Sequence, residues 1–189
     1  MTDSGLTVIT PTIPGREEFL GECMASVKAQ TVPVEHLVGL DADFEGPAKM
    51  RNLLVAQAET EYVLFLDDDD LLDPDYVEHV TPFLDEYDFV YTWCRKNFEY
   101  PTNIPFDGPA LRERNVIPVT ACVRRSMFLG VGGFPEDVAY EDWALWLNLL
   151  DAGASFHCTE QVKWTYIRSD NGRDAKNRQE IASGRLKAR

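Results

Sequence analysis

The chain has no Cys-x-x-Cys pair, no G-x-x-x-x-G-K-[ST] loop, no apolar run of membrane-spanning length and no excess of positive charge, and each absence narrows its chemistry. Its four cysteines, Cys23, Cys94, Cys122 and Cys158, are widely spaced, which excludes a paired zinc or redox motif and predicts free core thiols. The three histidines, His36, His79 and His157, are too dispersed for a zinc set. Without about 18 consecutive uncharged apolar residues there is no candidate membrane span. Without a basic start leading into an apolar segment no signal peptide is expected, so the expected compartment is the cytoplasm. A formal charge of −14 argues against a nucleic-acid partner, whose phosphates need cationic neutralisation. A small anionic ligand is still compatible where a metal or local Arg and Lys reverse the potential.

What is present is an ordinary globular mixture, 44% hydrophobic and 26% charged. The 189 residues fit one domain, and a chain of that length buries roughly 70% of the surface its unfolded form exposes. Leu6 to Thr10 reads as a strand, a Pro- and Gly-rich turn follows, and Arg16 to Ala29 reads as a helix with Phe19, Leu20, Cys23, Met24 and Val27 inward. Val34 to Leu40 is a second strand, and Pro47 opens a helix burying Met50, Leu53 and Leu54. Tyr62 to Leu66 is a third strand, and βαβαβ order predicts parallel pairing. Further on, a helix follows Asp73 as N-cap and runs to about Leu84, and Asp88 to Trp93 is a strand. Lys96 to Arg114 forms a long loop, and Val116 to Val123 a strand. Ser126 to Leu129 is a helical turn, and Glu141 to Ala152 a helix burying Trp143, Trp146, Leu147 and Leu150. Ala154 to Cys158 and Val162 to Ile167 close the pattern, and Arg168 to Arg189 is richer in base, either a phosphate-facing edge or a solvated tail.

The most informative stretch is Tyr62-Val63-Leu64-Phe65-Leu66-Asp67-Asp68-Asp69-Asp70, in which a buried strand delivers four carboxylates to one point. In open α/β sheets ligands bind just beyond the carboxyl ends of such strands. Alternation along an extended chain lets Asp67 and Asp69 address one side while Asp68 points elsewhere. Mg²⁺ or Mn²⁺ bridging a carboxylate and a ligand diphosphate suits this spacing. The bland alternative is a solvated acidic turn. A calcium loop counted from Asp67 fails because Leu71 and Leu72 stand where an oxygen ligand and the turning glycine are needed. An aspartyl-nucleophile phosphatase is chemically open, but no single aspartate is marked as nucleophile. Gly130-Val131-Gly132-Gly133 precedes Phe134-Pro135 rather than a helix, so it is a poor dinucleotide fingerprint.

Around the other strand ends lie Thr10, Pro11, Arg16, Asp41 and Asp43; either aspartate could accept from a base N–H or a ribose hydroxyl. Arg16, Lys49 and Arg51 could answer phosphate or aspartate charge, and for Arg51 an ion pair steadying the acidic loop is equally open. Asn52 reads as a residue that fixes a loop. Glu141-Asp142 forms a second acidic centre at the first turn of a helix, where acids ordinarily compensate the dipole. In a carbohydrate site such a carboxylate can instead take a proton from an attacking hydroxyl.

Three segments together resemble the nucleotide-sugar glycosyltransferases of family 2, which have the GT-A fold: Val8-Ile9-Thr10-Pro11-Thr12 with its helix; Met50-Arg51-Asn52 leading to Phe65 through Asp70 and Pro74; and Arg124-Arg125 through Gly132-Gly133-Phe134-Pro135-Glu136 to Glu141-Asp142-Trp143. The resemblance implies an α/β fold, a single GT-A domain over 1–170 with a Rossmann-like, mostly parallel central sheet flanked by helices, followed by a basic tail over 171–189. It implies Asp67 on the nucleotide side and Asp69, with Asp67, on a divalent Mn²⁺ or Mg²⁺. Thr10, Pro11, Arg16, Asp41, Asp43, Lys49, Arg51, Asp68 and Arg168 are implied around the nucleotide sugar. Asp142 is implied as general base, with Glu141 shaping the acceptor site. Gly39-Leu40-Asp41-Ala42-Asp43 departs from the family's base-gripping loop, and Arg168-Ser169-Asp170-Asn171 lacks the histidine that often covers the diphosphate. The implied activity is inverting transfer from a nucleoside-diphosphate sugar, with a uridine diphosphate sugar preferred, to a hydroxyl acceptor. Nucleotidyl transfer on a related α/β fold, or retention of a nucleotide sugar without turnover, are the alternatives.

Overall fold

A computed structural model describes residues 5–95 and 103–167. Arg168 and the basic tail lie outside the described residues, as does the first part of the long loop after Arg95. In chain order the elements are β1 (Leu6–Thr12), α1 (Glu17–Lys28), β2 (Glu35–Leu40), α2 (Pro47–Gln57), β3 (Tyr62–Phe65) and β4 (Leu71–Leu72). They continue with α3 (Tyr76–Leu84), β5 (Phe89–Arg95), α4 (Gly108–Glu113), β6 (Ala121–Arg124), α5 (Arg125–Gly130), α6 (Glu141–Asp151) and β7 (Phe156–Thr165).

The strands form one sheet in the order β2-β1-β3-β6-β5-β7-β4. β1 is parallel to both β2 and β3, as the βαβαβ pattern predicts. The expectation of a mostly parallel sheet needs correcting, because β6 runs antiparallel to β3 and β5, and β4 antiparallel to β7. The α/β architecture stands; the sheet is mixed. Among the described residues of the second half, β5 and β7 restore a parallel pair, with register shifts around Trp93. The two short strands expected near the end are one element, β7, with Glu160 in the left-handed region at φ 55°.

Side-chain alternation sends Leu6 and Val8 to one face of the sheet and Ile9 to the other. On the first face they meet Cys23, Val27, Leu64, Tyr76, Val80 and Trp164. On the other, Ile9 joins Val63, Phe65, Phe89, Phe128, Phe134 and Trp146. Both faces of β3 are therefore covered, which is why its sequence is continuously apolar. All four cysteines are buried thiols outside any disulfide.

Two helices turn differently from their apolar patterns. On α1 Cys23 and Val27 are buried while Phe19 and Met24 are exposed. On α2 the buried face is Ala48, Arg51, Leu54 and Val55, and Leu53 points outward. Asp73 pairs with Arg95 rather than capping α3, whose N-cap position is Asp75. The long loop yields α4, capped by the Asp107 carboxylate accepting from the Ala110 N–H at 3.1 Å. Among the described residues no helix is long and apolar enough to cross a membrane.

Candidate active site

β3 ends at Phe65, and a hydrogen bond from Leu66 N–H to Ile9 O carries the extended chain one residue further. The chain then turns, with Asp70 N–H donating to Asp67 O at 3.0 Å. Simple alternation therefore stops at Leu66, and Asp68 and Asp69 do not diverge. Both engage Arg16: Asp68 through Nε and Nη2 at 2.7–3.0 Å, Asp69 through Nη2 at 2.6 Å. Thr12 Oγ1 adds a hydrogen bond to Asp68 at 2.6 Å. These bonds to Asp68, with Asp69 helping, outweigh burial and raise the Arg16 pKa. Asp68 is thus turned inward, as a support for Arg16. Asp70 is buried, and its Oδ1 accepts from Ile167 N–H at 3.2 Å.

Asp67 has a different partner. Its Oδ1 lies 2.5 Å from Arg51 Nη2, and Arg51 Nη1 reaches Glu141 Oε1 at 3.0 Å. A single guanidinium, 2% exposed, joins the β3 tip to the start of α6. Burial alone would lower the Arg51 pKa, but Asp67 and Glu141 outweigh it and the value rises. The Phe134 ring lies against this group, 5.2 Å from its centre. Its neighbour Asn52 clasps the Gly-Gly-Phe-Pro turn, accepting from Phe134 N–H and donating to Phe134 O, both at 2.9 Å. Gly133 stands at φ 74°, and a Cβ there would lie 2.6 Å from Asn52 Oδ1, so glycine is needed twice over.

At the start of α6 the half-buried Asp142 accepts from its neighbour Trp143 N–H and from Asn115 Nδ2, each at 2.8 Å. Burial and the adjacent Glu141 push its carboxyl up to about 6, against the pull of these two donors and of Arg51. Such a group exchanges a proton near neutrality. Sequence reasoning missed Asn115; no motif marks it, since its role appears only when the chain folds back over α6.

The β2–α2 loop is held from within. Asp41 is buried, and its two oxygens accept from Glu45 N–H (2.9 Å) and Gly46 N–H (2.7 Å). Asp43 is exposed, as is the Lys49–Glu45 ion pair. Thr10 is buried with its hydroxyl 2.9 Å from His36 Nε2, and Pro11 pairs with Gly39 inside the sheet. Burial drives the His36 pKa down to about 4. Arg16, Arg51, Asp67, Asp68, Asp69, Glu141 and Asp142 thus gather at one end of the sheet, whereas Thr10 and Pro11 frame it from within.

Asp67 is the most open of the ion-paired aspartates at the tip, with 34% of its side chain exposed against 18% for Asp69 and 8% for Asp68. Burial, then the charge of Asp67, raises the Asp69 pKa despite Arg16, the mark of a crowded anionic tip. Asp67 and Asp69 offer the hard oxygens that Mg²⁺ or Mn²⁺ prefers. Among the described residues no three His, Cys, Asp or Glu side chains form a cage, so an ion here would complete its shell with water and ligand phosphate.

The family model for glycosyl transferase family 2 matches residues 39–118, from the end of β2 past the aspartate run to the approach to β6. That segment is under half of the chain; over it the chain resembles family 2, and the α/β fold is GT-A-like. Two curated relatives, each described as an uncharacterized glycosyltransferase, come from Rickettsia. The Rickettsia bellii protein is 25% identical over 139 residues, 67% of this chain and 20% of its own length. The Rickettsia conorii protein is 32% identical over 117 residues, 56% and 19% respectively. The chain therefore spans about a fifth of these relatives. Among solved structures, Staphylococcus aureus TarS 1-349 in complex with UDP-GlcNAc aligns with a TM-score of 0.75 at 17% identity, over 90% of this chain and 60% of that one. The mannosyltransferase PcManGT from Pyrobaculum calidifontis, in complex with GDP-Man and Mn²⁺, aligns with a TM-score of 0.70 at 18% identity, over 97% and 66%. At these identities the likeness is one of fold. The family match ends before Glu141, so the α6 acids lie beyond it.

Proposed function

We propose that this chain is an inverting, metal-dependent glycosyltransferase domain that moves a sugar from a nucleoside-diphosphate sugar to an acceptor hydroxyl. The observation that carries the reading is the buried Arg51 bridge, which sets Asp67 at the β3 tip and Glu141, next to Asp142, on one guanidinium. A donor diphosphate at the tip then lies beside the group that would activate the acceptor. The Mn²⁺ complex of the mannosyltransferase PcManGT, whose fold this chain shares, is consistent with a metal here.

Asp69 and Asp67 would hold Mn²⁺ or Mg²⁺, which when bound supplies a Lewis acid for the diphosphate oxygens. Arg16 and Lys49 would provide cationic charge for the same phosphates, a role proposed also for Arg168, which lies outside the described residues, and Asp41 and Asp43 would border the nucleotide base. Asp142, ionised above about pH 6, accepts the acceptor hydroxyl proton as that oxygen attacks the anomeric carbon. The glycosidic C–O bond to phosphate breaks, and its electron pair leaves with the nucleoside diphosphate. Arg51 is too buried to touch the ligand and instead positions Asp67 and Glu141. Residues 1–170 form the catalytic domain, with 171–189 as an appended basic tail.

The test is to incubate the protein with Mn²⁺ and a panel of uridine, guanosine and thymidine diphosphate sugars, and to follow consumption by mass spectrometry. Release of a nucleoside diphosphate, with inverted anomeric configuration by NMR, is the expected result. Release of a nucleoside monophosphate, or retention of configuration, overturns it.

A further inference from the structure

We infer that Asn115 is a positioning residue that holds the Asp142 carboxylate in one orientation for proton transfer, an inference that rests on the reading of Asp142 as base. Residues 111–117 are clamped onto α6 by two indoles: Trp143 Nε1 donates to Leu111 O at 2.6 Å and Trp146 Nε1 to Ile117 O at 3.2 Å. Between these anchors Asn115 Nδ2 donates to Asp142 Oδ2 at 2.8 Å.

The amide has one sensible orientation. Its Oδ1 accepts from Ile117 N–H at 3.3 Å, so a flip would set NH₂ against an N–H and an oxygen against a carboxylate. With Trp143 N–H on the other oxygen, both ends of the Asp142 carboxylate are tied. Each oxygen keeps a second lone pair, and that is where an acceptor hydroxyl can approach. Of the charged groups, Glu141, beside it on α6, and Arg51, reaching across from α2, act on Asp142; the covering segment also carries Arg112, Glu113 and Arg114, all exposed, and what it brings to the carboxylate is the neutral Asn115 amide. Asn115 thus orients the base without neutralising it, and its donated hydrogen bond favours the ionised form.

Asn115→Asp keeps the size and the acceptor for Ile117 N–H while replacing the donor with a second carboxylate; Asn115→Ala removes both bonds. The Asp142 carboxyl resonance can be titrated in ¹³C-labelled protein without any substrate. Its midpoint is expected to rise by about one pH unit in Asn115→Asp and by less in Asn115→Ala. With whichever sugar nucleotide the panel shows to be consumed, kcat should fall by about 10- to 100-fold, and the donor KM should change by less than about twofold. A folded Asn115→Asp protein with the Asp142 midpoint and kcat of the wild type overturns the inference. Asp142→Asn separates the two readings: full activity in that variant sinks the base and its positioning together. An inactive Asp142→Asn beside an unchanged Asn115→Asp sinks the positioning alone.

Discussion

The two acidic centres are braced by different chemistry. At the β3 tip, Asp67, Asp68 and Asp69 meet the guanidinium groups of Arg16 and Arg51. At the head of α6, Asp142 meets two uncharged N–H donors, from Trp143 and Asn115. A guanidinium lets a carboxylate keep its charge away from water, whereas an amide mainly orients it. Burial and the neighbouring Glu141 push Asp142 up to about 6 against the pull of these donors. One residue type is thereby tied into ion pairs in one place and set up as an exchangeable proton site in another.

The severest way to break this contrast is to remove the exchangeable site. Asp142→Asn should lower turnover by about 10²- to 10⁴-fold, while donor binding measured by calorimetry stays at the wild-type level. Next comes the shared cation: Arg51→Met leaves Asp67 and Glu141 without a counter-charge and should cost about 3–5 kcal/mol in urea denaturation at pH 7. Arg16→Gln, at a more open site, should cost about 1–3 kcal/mol by the same measurement.

A subtler comparison uses pH. Because the folded Asp142 carboxyl lies above its ordinary 3.8, its contribution to stability is complete below that value and is lost as pH rises through about 6. The wild type should therefore gain about 2 kcal/mol on Asp142→Asn between pH 7 and pH 4, read from paired denaturation curves. The smallest effect belongs to Lys49→Ala, which removes only an exposed i,i+4 pair and should leave the melting temperature unchanged.

Much of the tip was legible because its signals are local. Four covered apolar residues followed by acids can only be a buried strand opening onto a charged turn, and Pro47 and Gly46 mark the start of α2. Pairing direction is not local: nothing in Ala121–Arg124 tells that it runs antiparallel between β3 and β5. The two-residue β4 is too short to show a period. The sequence leaves Arg51 open between a ligand contact and an ion pair with the acidic loop, and it hides the burial: hydrophobic periodicity assigns arginine to the solvent face, yet ion pairing on both sides lets α2 bury it and expose Leu53. The inward turn of Asp68 and Asp69 onto Arg16 depends on a bend that strand alternation does not foresee.

Arg51 and Asn52 are consecutive on α2, so one helical turn carries both the bridge between the acidic centres and the clasp on the Gly-Gly-Phe-Pro turn. That makes the helix a ruler with no tolerance for insertion. A residue gained or lost between Pro47 and Arg51 would swing the guanidinium about 100° around the axis and part the two halves of the site. Extra length in the Asp41–Gly46 loop would leave the spacing intact. Lineages of this domain should therefore vary in length before α2 and stay in step within it.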